Sequence, residues 1–397
     1  MAVALTGNNS RRGRVLATAG ARGRRVAWRI GVLMCLLPAL ATALEWRIEV
    51  TPEGELFPVL ELSRAATPER SAYGDGNGLL RVRVSGIDVP QRLQLTVRGE
   101  GLRADSVLEV DAAPGEFSLR PHLDWDAAYL RGLSGPRVQA LQVSLAGADG
   151  VPSIRSIQLR MHPLDEALYY VRDGASGVDL GWIFAAYVDP ASRVVDEILA
   201  GAFTATPAPA RTRAQRIEQA RAVWLALEQH GLRYADEDPT ISHGPVVYSQ
   251  RVRLLDTIWR QRIANCIDGS VLIASALERL GMRSFIVLVP GHAFVGWRSG
   301  DEGEAAEFLE TTLIGRHAPA TPETAVQLRR RALANFETAR DSGFARYRAA
   351  ANQLDGRHRP DYAVIDIATA RRYGIAPVPM TAANTTASDT VPLAGDE

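Results

Sequence analysis

The chain changes its hydrophobic rhythm several times, and each change marks a different kind of structure. Between residues 45 and 165, apolar and polar positions alternate in short runs at 45–50, 79–84, 93–97, 138–145 and 157–161. Gly, Pro and Asp separate these runs, so the pattern predicts antiparallel strands of a small β-sandwich with one face of each strand turned inward. After Asp173 an apolar aromatic segment (181–190) leads into a helix-like stretch ending at Ala202, and a Pro/Ala/Thr linker follows at 204–210. Residues 212–230 place Ile217, Ala220, Trp224 and Leu227 at the spacing of an amphipathic helix, which Gly231 stops.

From Asn265 the text is apolar and rich in helix formers as far as Leu280, with Gly281 placed to close a helix buried on most sides. Two strand-like runs, 284–289 and 293–297, are joined by Pro290, Gly291 and His292, and a third runs through 308–312. Gly291 lets the chain turn tightly before His292. The expected result is a buried helix against an antiparallel sheet. A charged, Ala-rich stretch at 322–354 predicts a further helix, and the Thr/Ala/Ser/Asp-rich tail has little to bury and reads as disordered. The whole is an α+β chain: a β-sandwich domain (45–165), a helix-plus-antiparallel-sheet core (178–317), a helical C-terminal extension (318–380) and a tail (381–397). A length of 397 residues agrees with more than one core.

The leader adds an expectation about location. Seven arginines and no acid precede an apolar run at 30–44 that ends in small residues. This is the order of a secretory signal, and the run is shorter than the ~20 residues that span a bilayer. Residues 1–44 therefore predict a periplasmic or secreted protein, with anchoring to the inner membrane through 30–44 as the alternative. If the leader is cleaved, Cys35 leaves with it. Cys266 is then the only thiol, and an unpaired thiol in an oxidising compartment is either inert and buried or chemically employed.

Charge narrows the partners. The chain carries 45 basic and 45 acidic residues, and every basic one is Arg, so nothing argues for nucleic acid. No His, Cys and acid cluster has zinc-ligand spacing and no glycine-rich run has the setting of a phosphate loop, so no metal or cofactor is expected. His122 and His162 read as structural or surface residues, His243 and His317 as exposed loop residues, and Tyr187, Trp259 and Trp297 as core or groove lining.

The informative residues are Cys266, His292 and Glu310. A thiolate is favoured at the first turn of a helix, where unpaired backbone N–H groups and the positive dipole end lie, and Cys266 stands where the buried helix begins. Its own N–H and a neighbour's could also face a developing oxyanion. An imidazole at position 292 could pair with the sulfur and later protonate a leaving amine, and a carboxylate on the adjacent strand could hold the ring in one tautomer. Asn265 and Asp268 have the spacing of a helix-capping pair, a role in the fold. The bland readings are a buried structural thiol, a turn histidine and a surface strand acid.

The segments Asn265-Cys266-Ile267-Asp268-Gly269-Ser270, Val287 to Trp297 around Pro290-Gly291-His292, and Leu309-Glu310-Thr311-Thr312 together resemble the core of the bacterial transglutaminase-like superfamily, over 178–315. The resemblance implies a papain-like core with a Cys, His and acid in that order. It also implies acyl transfer or amide hydrolysis through a thioester at Cys266, as peptidase, amidase or protein crosslinker. The substrate implied is a protein or peptide of the cell envelope. Two departures stand out: Ala264-Asn265 precedes the Cys where the family usually has Gly-X, and Glu310 fills the place of the usual Asp. An upstream polar side chain often completes the oxyanion hole in such folds, and Gln250 and Gln261 are the candidates. An inactive transglutaminase-like scaffold or interaction domain, and a binding module led by the sandwich, are the rival readings.

Overall fold

The computed structural model describes residues 44–378, apart from 65–69, 72, 76–77, 174–175, 206, 236–240, 245, 299–304, 320 and 355–358. The expected leader, except Leu44, and the expected tail lie outside the described residues, and so does Cys35. The described chain is an α+β fold of helices with several mixed and antiparallel sheets. None of its described helices is long and apolar enough to cross a membrane.

Two sheets form the first layer pair. One is ordered Glu45–Val50, Leu80–Ile87, Gly115–Leu119; the other is ordered Glu55–Leu56, Pro152–Met161, Arg137–Ala146, Gln91–Gly99, Ser106–Ala112. All pairings are antiparallel except that of 55–56 with 160–161. The alternation read from the sequence becomes a division of faces. Leu80, Val82 and Val84 are buried while Arg81 and Arg83 are half-buried, and Leu93, Leu95 and Val97 do the same in their strand. These residues join Leu119, Leu141 and Val143 in one apolar cluster fed by both sheets. Each such side chain contributes about 1.5–3 kcal/mol by leaving water.

His162 stands at the exit from these sheets. Its ring stacks on Phe57 with centroids 4.0 Å apart, and its two nitrogens meet Glu166 at 2.9 Å and Glu55 at 2.7 Å. Glu166 is four residues along the chain, and folding adds Glu55 from a distant segment. Burial opposes charge on this ring, but the two carboxylates outweigh it and raise the pKa. The group anchors the chain where it passes into the next sheet, Glu166–Asp173 against Val247–Arg251.

The second apolar cluster gathers the 3-10 segment Gly181–Tyr187, the helices Arg193–Ala202 and Arg213–His230, the helix Cys266–Arg279, and one face of a four-stranded antiparallel sheet. That sheet is ordered Ala306–Leu309, His292–Arg298, Ser284–Val289, Ala363–Asp366. Its central hairpin turns at Pro290 and Gly291, with Val289 opposite His292 and Gly291 at φ +67°. The turn therefore requires the left-handed backbone that glycine adopts freely.

Two expectations about this region are corrected. The third strand stops at Leu309, and Glu310 caps a 3-10 turn, Thr311–Leu313, instead of lying within the strand. The segment 318–380 is also more than a helical extension. Its long helix, Ala325–Ala350, lies against strand Ala306–Leu309, and its strand Ala363–Asp366 completes the sheet beside Ser284–Val289.

Candidate functional site

The helix Cys266–Arg279 begins with a built-in stop for the preceding chain. Asn265 accepts a hydrogen bond from the backbone N–H of Asp268 at 2.9 Å, and Asp268 accepts one from the N–H of Asn265 at 3.1 Å. This capping box is worth about 1 kcal/mol. Asp268 also accepts from the backbone N–H and the guanidinium of Arg253, at 2.8 and 2.7 Å, and is fully buried. Burial raises its pKa, against the opposing pull of those donors. Asp268 therefore ties the loop before residue 255 to the first turn of the helix and fixes where Cys266 sits.

The Cys266 carbonyl is held from two sides. Ser270 donates its hydroxyl to it at 2.7 Å, and Thr311 donates at 3.0 Å from the turn that follows Glu310. Thr311 can come this close because position 269 is Gly: a Cβ there would meet the Thr311 Cβ at 2.9 Å. The sequence -Cys266-Ile-Asp-Gly269- thus serves the joint between helix and turn as well as the helix start. Cys266 itself is neither sealed nor fully exposed.

His292 opens the strand His292–Arg298 with its side chain about 15% exposed, and its Nε2 donates to Glu310 Oε2 at 2.8 Å. The Cys266 side chain lies close enough to the ring to act on its charge. With Nε2 engaged by the carboxylate, Nδ1 is the nitrogen left for the sulfur. Burial alone would drive the ring toward its neutral form, but the Cys266 sulfur and the Glu310 carboxylate outweigh it and raise the pKa from 6.5 to about 9. The charged ring is therefore the favoured form at neutral pH.

Glu310 is almost completely buried and fully engaged. Oε1 accepts from the backbone N–H and the hydroxyl of Thr312, at 3.1 and 2.7 Å, and Oε2 faces both His292 and Arg346 Nε at 2.5 Å. Burial pushes its pKa up, but the bonds and charge of His292 and the Thr312 donors win and hold it below the usual carboxylate range. Its own backbone N–H donates to the Ala339 carbonyl of the long helix at 2.9 Å. Gly343, one turn later, makes that approach possible, because a Cβ there would meet Leu309 N at 2.8 Å and Phe308 C at 2.9 Å. Phe308 stacks on Tyr347 of the same helix with centroids 4.2 Å apart.

The fold therefore brings Cys266, His292 and Glu310 together from a helix start, a strand start and a strand end. It does not bring in the two glutamines. Gln250 gives its amide to the carbonyl of Arg251 at 2.7 Å, and Gln261 is exposed at the end of helix Leu255–Gln261. Neither hydrogen-bonds to the three site residues. Trp297, read as core or lining, is fully buried, and His317 is exposed as expected. Arg346, Ala339 and Gly343 went unnoticed in the sequence, where one Arg among many in a charged helix carries no signal. Among the described residues no group of three or more His, Cys, Asp or Glu could hold a metal ion.

A cavity of about 480 Å³ opens beside the His292 ring, lined among others by Tyr234, Thr312, Gly315, Arg316 and Arg346. A thiol, an imidazole biased to its charged form, a buried carboxylate behind it and an adjacent open cavity form a set that can attack a carbonyl and return a proton to a leaving nitrogen. No protein-family model matches the chain, and no curated protein matches it.

Proposed function

We propose that the protein is a cysteine-dependent acyl-transfer or amide-hydrolysing enzyme of the transglutaminase-like, papain-related kind. Its substrate would be a protein or peptide of the cell envelope, reached after export or from an inner-membrane anchor. The observation that supports this most is the ring of His292, hydrogen-bonded to Glu310 at 2.8 Å on one side with the Cys266 side chain as its neighbour on the other.

In this reading the Cys266 thiolate attacks the carbonyl carbon of an amide and forms a C–S bond. The tetrahedral oxyanion faces backbone N–H groups at the helix start. The C–N bond then breaks as the imidazolium of His292 gives its proton to the leaving nitrogen, which departs as ammonia or an amine. Water or a second amine, losing a proton to His292, next attacks the thioester carbonyl; the C–S bond breaks, the acid or new amide leaves, and the thiolate and imidazolium are restored. Glu310 keeps one tautomer and one ring orientation throughout, as the third member of such a set does.

A thiol-directed amide or vinyl-sulfone probe tests the proposal, with the labelled site located by peptide mass spectrometry. Labelling should fall on Cys266 and drop at least tenfold in His292→Ala. Slow labelling that ignores this substitution would make the core a scaffold with an unused thiol.

A further inference from the structure

Resting on that reading, we infer that the cavity beside His292 recognises a carboxylate, so the enzyme acts on acyl donors or leaving groups that carry a negative charge next to the scissile bond. Arg316 and Arg346 both line the cavity, Tyr234 and Thr312 add hydroxyl groups, and no acidic side chain among the described residues lines it. Glu310, buried behind His292, already faces two cations, the ring at 2.8 Å and Arg346 at 2.5 Å. With Glu310 set against the His292 ring and Arg346, the guanidinium of Arg316 is left over. Among the described residues it has no carboxylate partner, and it is exposed.

The position of Arg316 is also held firmly by the fold. Its carbonyl accepts from Asn335 at 2.8 Å and from Arg331 at 3.4 Å. Those two side chains are fixed in turn on Glu228, a carboxylate with no exposed surface, which also accepts from Trp224 at 3.0 Å. Gly315, at φ +66°, packs so closely on Leu232 and Arg233 that a Cβ would meet them within 2.8 Å. A buried network thus holds the backbone of one unpaired arginine at the rim of a cavity that contains the catalytic imidazole. Arginine binds carboxylate by two parallel N–H donors, and a positive cavity with low-dielectric walls raises the local concentration of anions.

The test needs no knowledge of the natural substrate. The full chain is alkylated with iodoacetate and with iodoacetamide at neutral pH and low salt, and the rate at Cys266 is followed by mass spectrometry. The two reagents differ in one carboxylate, so the ratio of their rates reads the anion preference of the site, while the iodoacetamide rate alone reads the Cys266–His292 pair. The ratio should exceed that of N-acetylcysteine amide by about tenfold. It should collapse toward the free thiol's value in Arg316→Gln, reverse in Arg316→Glu, and shrink with added salt, each variant's own iodoacetamide rate dividing out any change in the Cys266–His292 pair. Protection against iodoacetamide by N-acetylglutamate α-amide, by N-acetylglutamine, and by N-acetylglutamine α-amide then separates a side-chain carboxylate from a terminal one. A ratio indifferent to Arg316, or equal protection by the neutral amide, overturns the inference. An iodoacetamide rate indifferent to His292→Ala instead overturns the underlying enzymatic reading.

Discussion

Replacing Glu310 by Gln isolates the charge of the acid from its shape. Gln keeps the volume and reach, so the side-chain packing around position 310 should survive, but it has one accepting oxygen where Glu310 uses two: with that oxygen on the ring, the amide nitrogen meets the Thr312 donors. What disappears is the negative charge 2.8 Å from the ring nitrogen. The rise of the His292 pKa from 6.5 to about 9 represents about 3 kcal/mol in favour of the charged ring, net of the burial that opposes it. Cys266 and Glu310 share the favourable part, so removing one charge should lower the pKa by about 1 to 2, leaving the ring titrating near neutrality. The measurement is an NMR titration of the His292 Cε1–H signal, with Cys266 probe labelling at pH 7 alongside. Labelling should slow in the variant, because less of the imidazolium partner is present to hold the thiolate. A His292 pKa within about 0.3 of the parent value would refute the claim that this carboxylate steadies the ring.

Three further outcomes follow from the same contacts. Gly343→Ala should gain about 1 kcal/mol of helix propensity but lose about 1–3 to overpacking against the Leu309 and Phe308 backbone, so urea unfolding should show net destabilisation with slower Cys266 labelling, whereas Ser342→Ala should show neither. Glu310→Asp shortens the acid by about 1.5 Å, one C–C bond, and should lower the His292 pKa, slow labelling and lower the urea midpoint at pH 7, because a smaller rise in the folded-state pKa is a smaller contribution to stability. The His292 interaction also has a sign in pH: a folded pKa above the unfolded 6.5 gives stability present in full below 6.5 and lost as pH rises through about 9. The stability difference between the parent and His292→Gln should therefore shrink between pH 6 and pH 9.5, by an amount on the order of 3 kcal/mol in chemical denaturation, and a difference that grows over that window would contradict the assignment.

What could be read from the sequence was whatever is local in the chain. The capping pair Asn265 and Asp268, the buried helix behind them and the Pro290-Gly291 hairpin all formed as their residues suggested, because caps, helices and tight turns are decided within a few positions. The strand Ser106–Ala112 escaped notice because Val107 is exposed and breaks the alternation that Leu108, Val110 and Ala112 otherwise keep. Strand Ala363–Asp366 had the right composition, but its partner lies some eighty residues earlier, with Phe285 opposite Asp366, and no local pattern announces such a pairing. Arg346 shares its helix with Arg329, Arg330, Arg331, Arg340 and Arg348, so only the fold could single it out.

The place of Glu310 shows why an acid can look misplaced in sequence and still reach its histidine. Val295 lies opposite Leu309, and carrying that antiparallel register on would put Thr312 opposite His292, with Glu310 on the same face one diagonal away. Diagonal neighbours are about 7–8 Å apart at the backbone, a gap that only a long side chain closes. The chain does not continue the strand. It turns into the 3-10 segment at Thr311, so Thr312 folds back to donate twice to Oε1 and leaves Oε2 to the ring and to Arg346. The long helix supports that departure, because its Ala339 carbonyl accepts the Glu310 N–H. The segment after residue 318 is therefore part of the machinery that sets the acid. A chain truncated before that helix should lose the Glu310 geometry even where Cys266 and His292 keep their elements.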